Sequence, residues 1–252
     1  MAAAAASGVA PPPVSLGLPA GIGYPEPMAL RHIARLASWL AACAALVALF
    51  GATVGRAASA SGIIVAIAAT VWLLLWLPRT AHAAFETGRY RRAARCYRMI
   101  AAAAFTAARE RAAVLSRAGC DVAAGRLAPA ERLLDRFDAA ALDVAERVTW
   151  FNNRACIVLA SGGDPRVALD LVERAVALRP DVPAVQHTRA TALIAVGRHD
   201  DAIGVLDAMR SGGELSPALE AMRCRELARA WERKGQFDYA ADYRERARLV
   251  AR

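Results

Sequence analysis

The side chains that could carry catalytic or metal chemistry are scattered along this chain of 252 residues. No two of its histidines have an HExxH or HxH spacing, and no cysteine lies near a histidine, so a zinc or iron site is not predicted. The phosphate-binding patterns GxGxxG and GxxxxGKS/T are also missing from the sequence. We therefore expect neither an enzyme nor a cofactor. The histidines are His32, His82, His187 and His199.

Carboxylates and thiols fit structural roles better than catalytic ones. Most Asp and Glu residues have an arginine three or four positions away, as Glu226 has Arg229, which predicts solvated ion pairs on helix surfaces. The cysteines form no CxxC pair and are expected to be small core residues in a reducing compartment. They are Cys43, Cys96, Cys120, Cys156 and Cys224.

Residues 150–180 predict the element that positions everything else, two short helices with a tight break between them. Gly163 is expected to end the first helix with a positive φ. Asp164 can then cap the second helix, with Pro165 in its first turn. Both segments carry apolar residues at helical spacing. Because two such helices cannot bury their apolar faces alone, the unit requires neighbours of the same kind.

The neighbours are indicated by a glycine followed five residues later by an alanine, at a spacing of 34 to 38 residues. This pattern resembles the tetratricopeptide repeat (TPR), a helix-turn-helix unit of about 34 residues. The resemblance implies an all-α fold, a right-handed α-solenoid of about five repeats over residues 79–252. The alternative is an irregular helical bundle. The pairs are Gly88/Ala93, Gly125/Ala130, Gly163/Ala168, Gly197/Ala202 and Gly235/Ala240.

The TPR resemblance also implies a concave groove, lined by the first helix of each repeat, that binds a protein or peptide. The lysine of a carboxylate clamp is missing, so an EEVD-like tail is not the expected ligand. A groove that becomes arginine-rich at the fifth repeat suits an extended, partly acidic peptide. Alternatively, its arginines only solubilise the last helix pair. Counted from each glycine, the groove positions are Asn153, Ile157, His187, Thr191, Arg225 and Arg229.

Two uncharged stretches precede the repeats. These two spans, at about 36–55 and 59–77, are each long enough to cross a membrane and should form a transmembrane hairpin over residues 31–78. The segment before them, residues 1–30, is rich in Ala and Pro and is expected to be disordered, with Met28 as an alternative start. A row of small residues would let the two helices pack closely. The row is Ala44, Ala48, Gly51 and Gly55.

Arginines flank the outer ends of this hairpin, while the intervening loop has Arg56 alone. Positive charge stays inside, so both termini are expected on the cytoplasmic side of an inner (plasma) membrane, in a multi-pass protein. Trp39, Trp72 and Trp76 then lie toward one interface. Two alternatives remain: a signal peptide cleaved near Ala60, which would leave a periplasmic solenoid, and a soluble core helix.

A basic cluster follows the second span, where it either contacts anionic headgroups or is a solvated helix face that sets topology. Its members are Arg89, Arg91, Arg92, Arg95 and Arg98. The chain is basic, with a net charge of +9, but aromatic residues are not interleaved with the basic ones. Nucleic acid is therefore not the expected partner. The sequence thus favours a membrane-anchored scaffold for a protein partner. A subunit of an export or envelope-assembly complex is the alternative, and the oligomeric state stays open.

Overall fold

The computed structural model describes residues 26–54, 56–211 and 213–250, and the described part is helical, without strands. Helix α1 spans Glu26–Val54 and α2 spans Arg56–Val71. The first helix therefore begins before residue 31, and α2 begins at Arg56, where a short loop was expected. The rest of the Ala/Pro-rich segment, residues 1–25, lies outside the described residues.

Helices α1 and α2 pack side by side, and this contact covers the small-residue row only in part, since Gly51 is half-buried. Ala44 and Ala48 are exposed, and Gly55 lies outside the described residues. The close approach is made instead from α2, because a Cβ added at Gly62 would lie 3.0 Å from Val47 Cα. Glycine is required there because backbone of the neighbouring helix occupies the space of a side chain.

Both hairpin helices are long and apolar enough to cross a membrane, by length and composition. Only 6% of the apolar window in Leu30–Leu49 and 17% of that in Ser61–Glu86 is buried. The core helix of a soluble protein would be mostly covered, so the soluble-core alternative does not fit these surfaces.

The second apolar helix continues into the solenoid through a π-helical turn, Trp72–Trp76, followed by α3, Leu77–Glu86. Pro78 has no N–H to donate to the carbonyl of Leu74, which interrupts the α-helical ladder at this point. Arg109 replaces the missing donor, since its Nη2 lies 3.3 Å from the carbonyl oxygens of Leu73 and Leu74. The second apolar helix and the first repeat are thereby one continuous rod.

Five antiparallel helix pairs follow one another along the described residues. We call the first member of each pair an inner helix and the second an outer helix. The second pair is short and is followed by a 3-10 turn at Ala139–Ala141. The inner helices are α3, α5 (Ala107–Ala123), α7 (Val144–Ala160), α9 (Pro183–Ala195) and α11 (Pro217–Arg233); the outer helices are α4 (Tyr90–Ala102), α6 (Leu127–Leu134), α8 (Pro165–Leu178), α10 (His199–Ser211) and α12 (Phe237–Val250).

The repeated alanines lie where the two helices of each pair meet, and each of the five has no exposed surface. A methyl group is all that fits at this crossing, so the pattern reports close packing of the helices. These residues are Ala93, Ala130, Ala168, Ala202 and Ala240.

The turn of the third repeat differs from the expected one. Gly162, with a φ of 72°, has the left-handed conformation there, and Gly163 does not. In the other four turns the glycine of the pattern has this conformation. The third turn contains one extra residue before the cap Asp164, so the equivalent of Gly197 is Gly162. Positions counted back from Gly163 are therefore shifted by one residue.

Candidate partner-binding groove and membrane junction

The inner helices of the middle repeats pack directly on one another. Asn153 Nδ2 of α7 donates a hydrogen bond to the carbonyl of Leu115 on α5, at 2.9 Å. Cys156 Sγ of α7 lies 3.6 Å from Thr188 Oγ1 of α9. These contacts leave little side-chain surface on α5, α7 and α9 for a ligand, so the groove is filled in its middle.

The six predicted groove residues fall into three classes: buried, half-buried and exposed. Asn153, Ile157 and His187 are 4%, 7% and 3% exposed, so a docked peptide would meet their neighbours rather than these side chains. Half-buried Thr191 bonds its own helix, with Oγ1 donating to the carbonyl of His187 at 3.0 Å. Arg225 and Arg229 are exposed. With the corrected register, the third-repeat equivalent of His187 is Asn152, which is also buried.

The first and last repeats meet across the array of inner helices. Ser216 Oγ, at the start of α11, donates to Glu86 Oε2 at the end of α3, at 3.0 Å. Tyr90 lies at the same contact: burial raises the pKa of its phenol, the nearby Arg225 opposes the shift, and Glu86 adds to it. The solenoid is therefore curved tightly enough for its ends to touch.

Three arginines form an exposed line on α11, which we call the α11 stripe: Arg225, Arg229 and Arg233. They are four residues apart and so lie on one face. Arg229 Nη1 donates to both oxygens of the Glu226 carboxylate, at 3.0 and 3.1 Å. Arg225 and Arg233 have no ion pair among the described residues. Counting groove positions back from each glycine did not identify Arg233. Its spacing of four residues from Arg229 would have placed it on the same helix face.

Buried His187 of α9 faces this region. Desolvation lowers the pKa of its imidazole, while the nearby Glu226 carboxylate favours the charged form. Arg225 and Arg229 act in the same direction as the burial. Burial and the two arginines therefore favour the neutral imidazole beneath the stripe.

Five helix pairs, each with a left-handed glycine turn and an alanine at the crossing, decide the fold. It is TPR-like. The chain is similar in structure to MamA AMB-1, at 19% identity over 69% of this chain and 90% of that one, with a TM-score of 0.40. MamA MSR-1 is 20% identical over 71% and 95% of the two chains, with a TM-score of 0.43.

A putative kinesin light chain of Podosopora anserina with nearly identical TPR-like repeats is 23% identical over 70% of this chain and 94% of its own, with a TM-score of 0.45. No protein-family model and no curated protein matches the chain. The described helices thus form a TPR-like solenoid with an exposed basic stripe on its last repeat.

The start of α1 is bonded to the second repeat through one carboxylate, which we call the Glu110 junction. Glu110 Oε2 lies 2.7 Å from Arg31 Nη2, 3.0 Å from His32 Nε2 and 3.1 Å from Arg35 Nη1. His32 is 4% exposed and Glu110 is 9% exposed. Three nitrogens converging on one largely buried carboxylate attach the hairpin to the solenoid.

An aromatic contact lies beside the Glu110 junction. Trp39 Nε1 donates to Thr70 Oγ1 at 3.3 Å, and its ring centroid lies 6.4 Å from that of Phe105. Trp39 is therefore at the solenoid end of the hairpin, the end from which α2 continues through Trp72 and Trp76. Sequence reasoning missed Glu110 and Phe105, because nothing local distinguishes them from other helix and turn residues.

All five residues of the predicted basic cluster are exposed. None of them has an ion pair in the part of the chain that the structure describes. They lie on α4, apart from Arg89, which precedes it. The cluster is therefore available to an external anion.

Metal-binding and nucleophilic side chains are not grouped into a site in the described part of the chain. No group of three or more His, Cys, Asp or Glu side chains there could hold a metal ion. The buried thiols are unsuited to nucleophilic work, since desolvation raises the pKa of Cys156 to about 12 and that of Cys224 to about 11. A cleft of about 700 Å³ between α9 and α10 has a charged rim, but its rim is internally paired, as by Arg198 Nε and Asp201 Oδ2 at 2.6 Å.

Proposed function

We propose that this protein is a membrane-anchored scaffold that holds a protein partner at the cytoplasmic face of the inner (plasma) membrane. The hairpin, residues 31–78, would be the anchor, and the solenoid, residues 79–252, would hold the partner. The Glu110 junction is the observation that carries this proposal. It ties the beginning of the first span to the domain that follows the second.

The Glu110 junction supports a hairpin with both ends on one side. A span that starts beside the solenoid and a second span that ends in it must return to the same membrane face. The arginines at these ends favour the cytoplasmic side by the positive-inside rule. The exposed Trp72 and Trp76 suit the headgroup level at that face.

The Glu110 junction also argues against cleavage of the first span near Ala60. Cleavage would remove Arg31, His32 and Arg35 together. Glu110 would then lose all three α1 nitrogens that contact its Oε2, and with them the charge-assisted hydrogen bonds that attach the hairpin to the second repeat. A retained hairpin keeps these bonds.

The partner's binding site is best placed on the α11 stripe, since the middle of the groove is filled. An acidic segment would find two unpaired guanidinium groups there, Arg225 and Arg233. Charge-assisted hydrogen bonds to arginine favour carboxylates in a defined geometry. The proposed partner is therefore a protein with an exposed acidic segment.

The topology is tested by fusing reporters after Arg252. We expect fluorescence from a fluorescent protein and little activity from alkaline phosphatase. Strong phosphatase activity without fluorescence would place the solenoid on the other side and refute the cytoplasmic assignment. Extraction by alkaline carbonate would refute the anchor itself.

The partner site is tested with Arg225→Ala combined with Arg233→Ala in a crosslinked pull-down from membranes. Arg229 is kept, because removing it would leave Glu226 without its bonded cation. We expect several-fold lower capture of the partner and weaker dependence on salt. The control, Arg132→Ala with Arg136→Ala, removes two exposed charges from the second repeat. Equal capture by both double variants and the parent, at low and high salt, would mean that the stripe is only a solvated surface.

A further inference from the structure

The arginine face of α4 is unlike the charged faces of the other outer helices. Helix α4 carries four arginines and no acidic residue over Tyr90–Ala102. On α8 and α12, by contrast, some arginines contact a carboxylate one turn away, as Arg174 does with Asp170 and Arg246 with Asp242, both at 2.8 Å. The α4 arginines have no such partner in the described residues. Uncompensated charge on one helix face points to an anion outside the chain.

The structure also gives the position of this face along the hairpin axis. Ile100, near the end of α4, packs with Leu73 and Leu77, at the level where the apolar helix passes through Trp72 and Trp76. Since α3 continues the axis of α2 and α4 runs antiparallel to it, the C-terminal end of α4 is its membrane-proximal end. Met99, 46% exposed, lies at this end.

Distances along the axis separate the arginines into two groups. At about 1.5 Å per residue, Arg98 lies roughly 3 Å and Arg95 roughly 8 Å from the level of Ile100, while Arg91 lies roughly 14 Å away. Arg79 of α3 is also exposed and lies about 5 Å beyond Trp76. The headgroup layer is about 5–8 Å thick on each side of a bilayer. Arg79, Arg95 and Arg98 therefore fall within it or at its edge.

We infer that anionic phospholipid headgroups bind to the membrane-proximal arginines Arg79, Arg95 and Arg98. This inference rests on the membrane anchoring proposed above and names the lipid that the anchor prefers. A guanidinium group matches phosphate in shape and charge, so each arginine can hold a headgroup. The remaining members of the predicted cluster, Arg89, Arg91 and Arg92, lie farther out and contribute only through the screened field, which decays over about 8–10 Å.

The experiment uses the full chain in nanodiscs of mixed phosphatidylglycerol and phosphatidylcholine, with retained lipids counted by native mass spectrometry. The test variant is Arg79→Gln/Arg95→Gln/Arg98→Gln. The control, Arg132→Gln/Arg136→Gln/Arg166→Gln, removes three exposed charges that are farther along the solenoid. We expect the parent and the control to retain phosphatidylglycerol in preference to phosphatidylcholine. In the test variant this preference should fall by about fivefold for each membrane-proximal arginine removed.

Three results would overturn the inference. The first is an equal lipid preference in the parent and the test variant, and the second is an equal loss in the test variant and the control, which would indicate net charge alone. The third is displacement of the lipid by millimolar inorganic phosphate, which would indicate a free-anion site. A parent chain that does not enter nanodiscs would instead contradict the anchoring itself, so the two failures are distinguishable.

Discussion

At the scale of single residues, several buried polar side chains have partners that fix how neighbouring repeats meet. Glu146, 2% exposed, receives Arg111 Nε of the preceding repeat at 2.8 and 2.9 Å. The same carboxylate completes the capping box at Asp143 that begins α7. Burial raises the pKa of Glu146 although Arg111 opposes the shift. Carboxylates expected on helix surfaces are thus found inside, where paired charges align one repeat with the next.

His187 predicts a measurable dependence of stability on pH. Its folded pKa is lowered from the ordinary value of 6.5 by burial, so the unfolded chain takes up a proton first as the pH falls below 6.5. Folded stability is therefore lost from that point downward, by at most about 1.4 kcal/mol per pH unit. We expect His187→Asn, the residue of the equivalent position 152, to flatten this dependence in denaturant melts between pH 7 and 5.

The matched control for His187 is Gln186→Asn, which changes a half-buried residue of the same helix that does not titrate. It should leave the slope between pH 7 and 5 at the value of the parent. A His187→Asn chain that loses stability with the same slope as the parent would show that another group sets the dependence.

At Gly162, in the turn of the third repeat, backbone conformation and not available space is expected to limit which residues can replace glycine. A Cβ at Gly162 meets nothing within 4 Å, but its φ of 72° is unfavourable for any L side chain. Gly162→Ala should cost about 1–2 kcal/mol of unfolding free energy. Gly204→Ala, in the open interior of α10, should instead stabilise by about 0.5–1 kcal/mol. Denaturant unfolding of both variants checks the contrast, and equal effects would contradict it.

At the scale of elements, each helix pair is held together at one narrow crossing. The alanine at the crossing has no exposed surface in any of the five pairs, and larger apolar residues pack around it. In the third pair the surrounding side chains include Val148, Val172 and Val185. A repeat protein transmits a local loss to its neighbours, because each repeat relies on adjoining ones for burial.

Ala168 tests this crossing. Ala168→Leu should force α7 and α8 apart and cost about 1–3 kcal/mol of unfolding free energy. Ala177→Leu adds the same atoms to an exposed position of the same helix and should be nearly neutral. Thermal melts followed by circular dichroism compare the two. An Ala168→Leu chain that melts at the same temperature as the parent would contradict the packing at this crossing.

At the scale of the whole molecule, two contacts between distant segments determine the shape. The Glu110 junction joins the start of the hairpin to the second repeat, and the Ser216–Glu86 bond joins the last repeat to the first. The π-helical turn adds an unbroken helical connection between the hairpin and the solenoid. Together they restrict how far the solenoid can swing relative to the hairpin.

Glu110→Gln tests the connection between the two parts. The amide keeps the shape but removes the charge that Arg31, His32 and Arg35 face, with an expected loss of about 2 kcal/mol of unfolding free energy. Amide hydrogen exchange in the first turns of α1 should rise as well. Glu131→Gln, whose side chain is 54% exposed, is the control and should change both values little. Unchanged exchange in the Glu110 variant would show that the hairpin is attached by other contacts.

The repeats and the apolar helices were determined by the sequence alone, because both depend on local periodicity. A run of uncharged residues can be identified without knowing what it packs against. A glycine followed by an alanine indicates the turn and the helix crossing of a single repeat. The extra residue in the third turn escaped this reasoning, since Gly162 and Gly163 are adjacent and only backbone geometry distinguishes them. The small-residue row was expected to form the contact between α1 and α2, but Ala44 and Ala48 are exposed. The reason is similar, because the face that one helix turns toward another depends on the surfaces of both helices.

Only the tertiary structure decided which polar residues are available to a partner. The curvature of the solenoid brings Glu86 and Ser216 together across 130 residues and buries Asn153 and His187. The same long-range packing places Glu110 against the beginning of α1. Such contacts arise from the summed rotation of successive repeats, a quantity that no single repeat contains, and so they could not be derived from spacing along the chain.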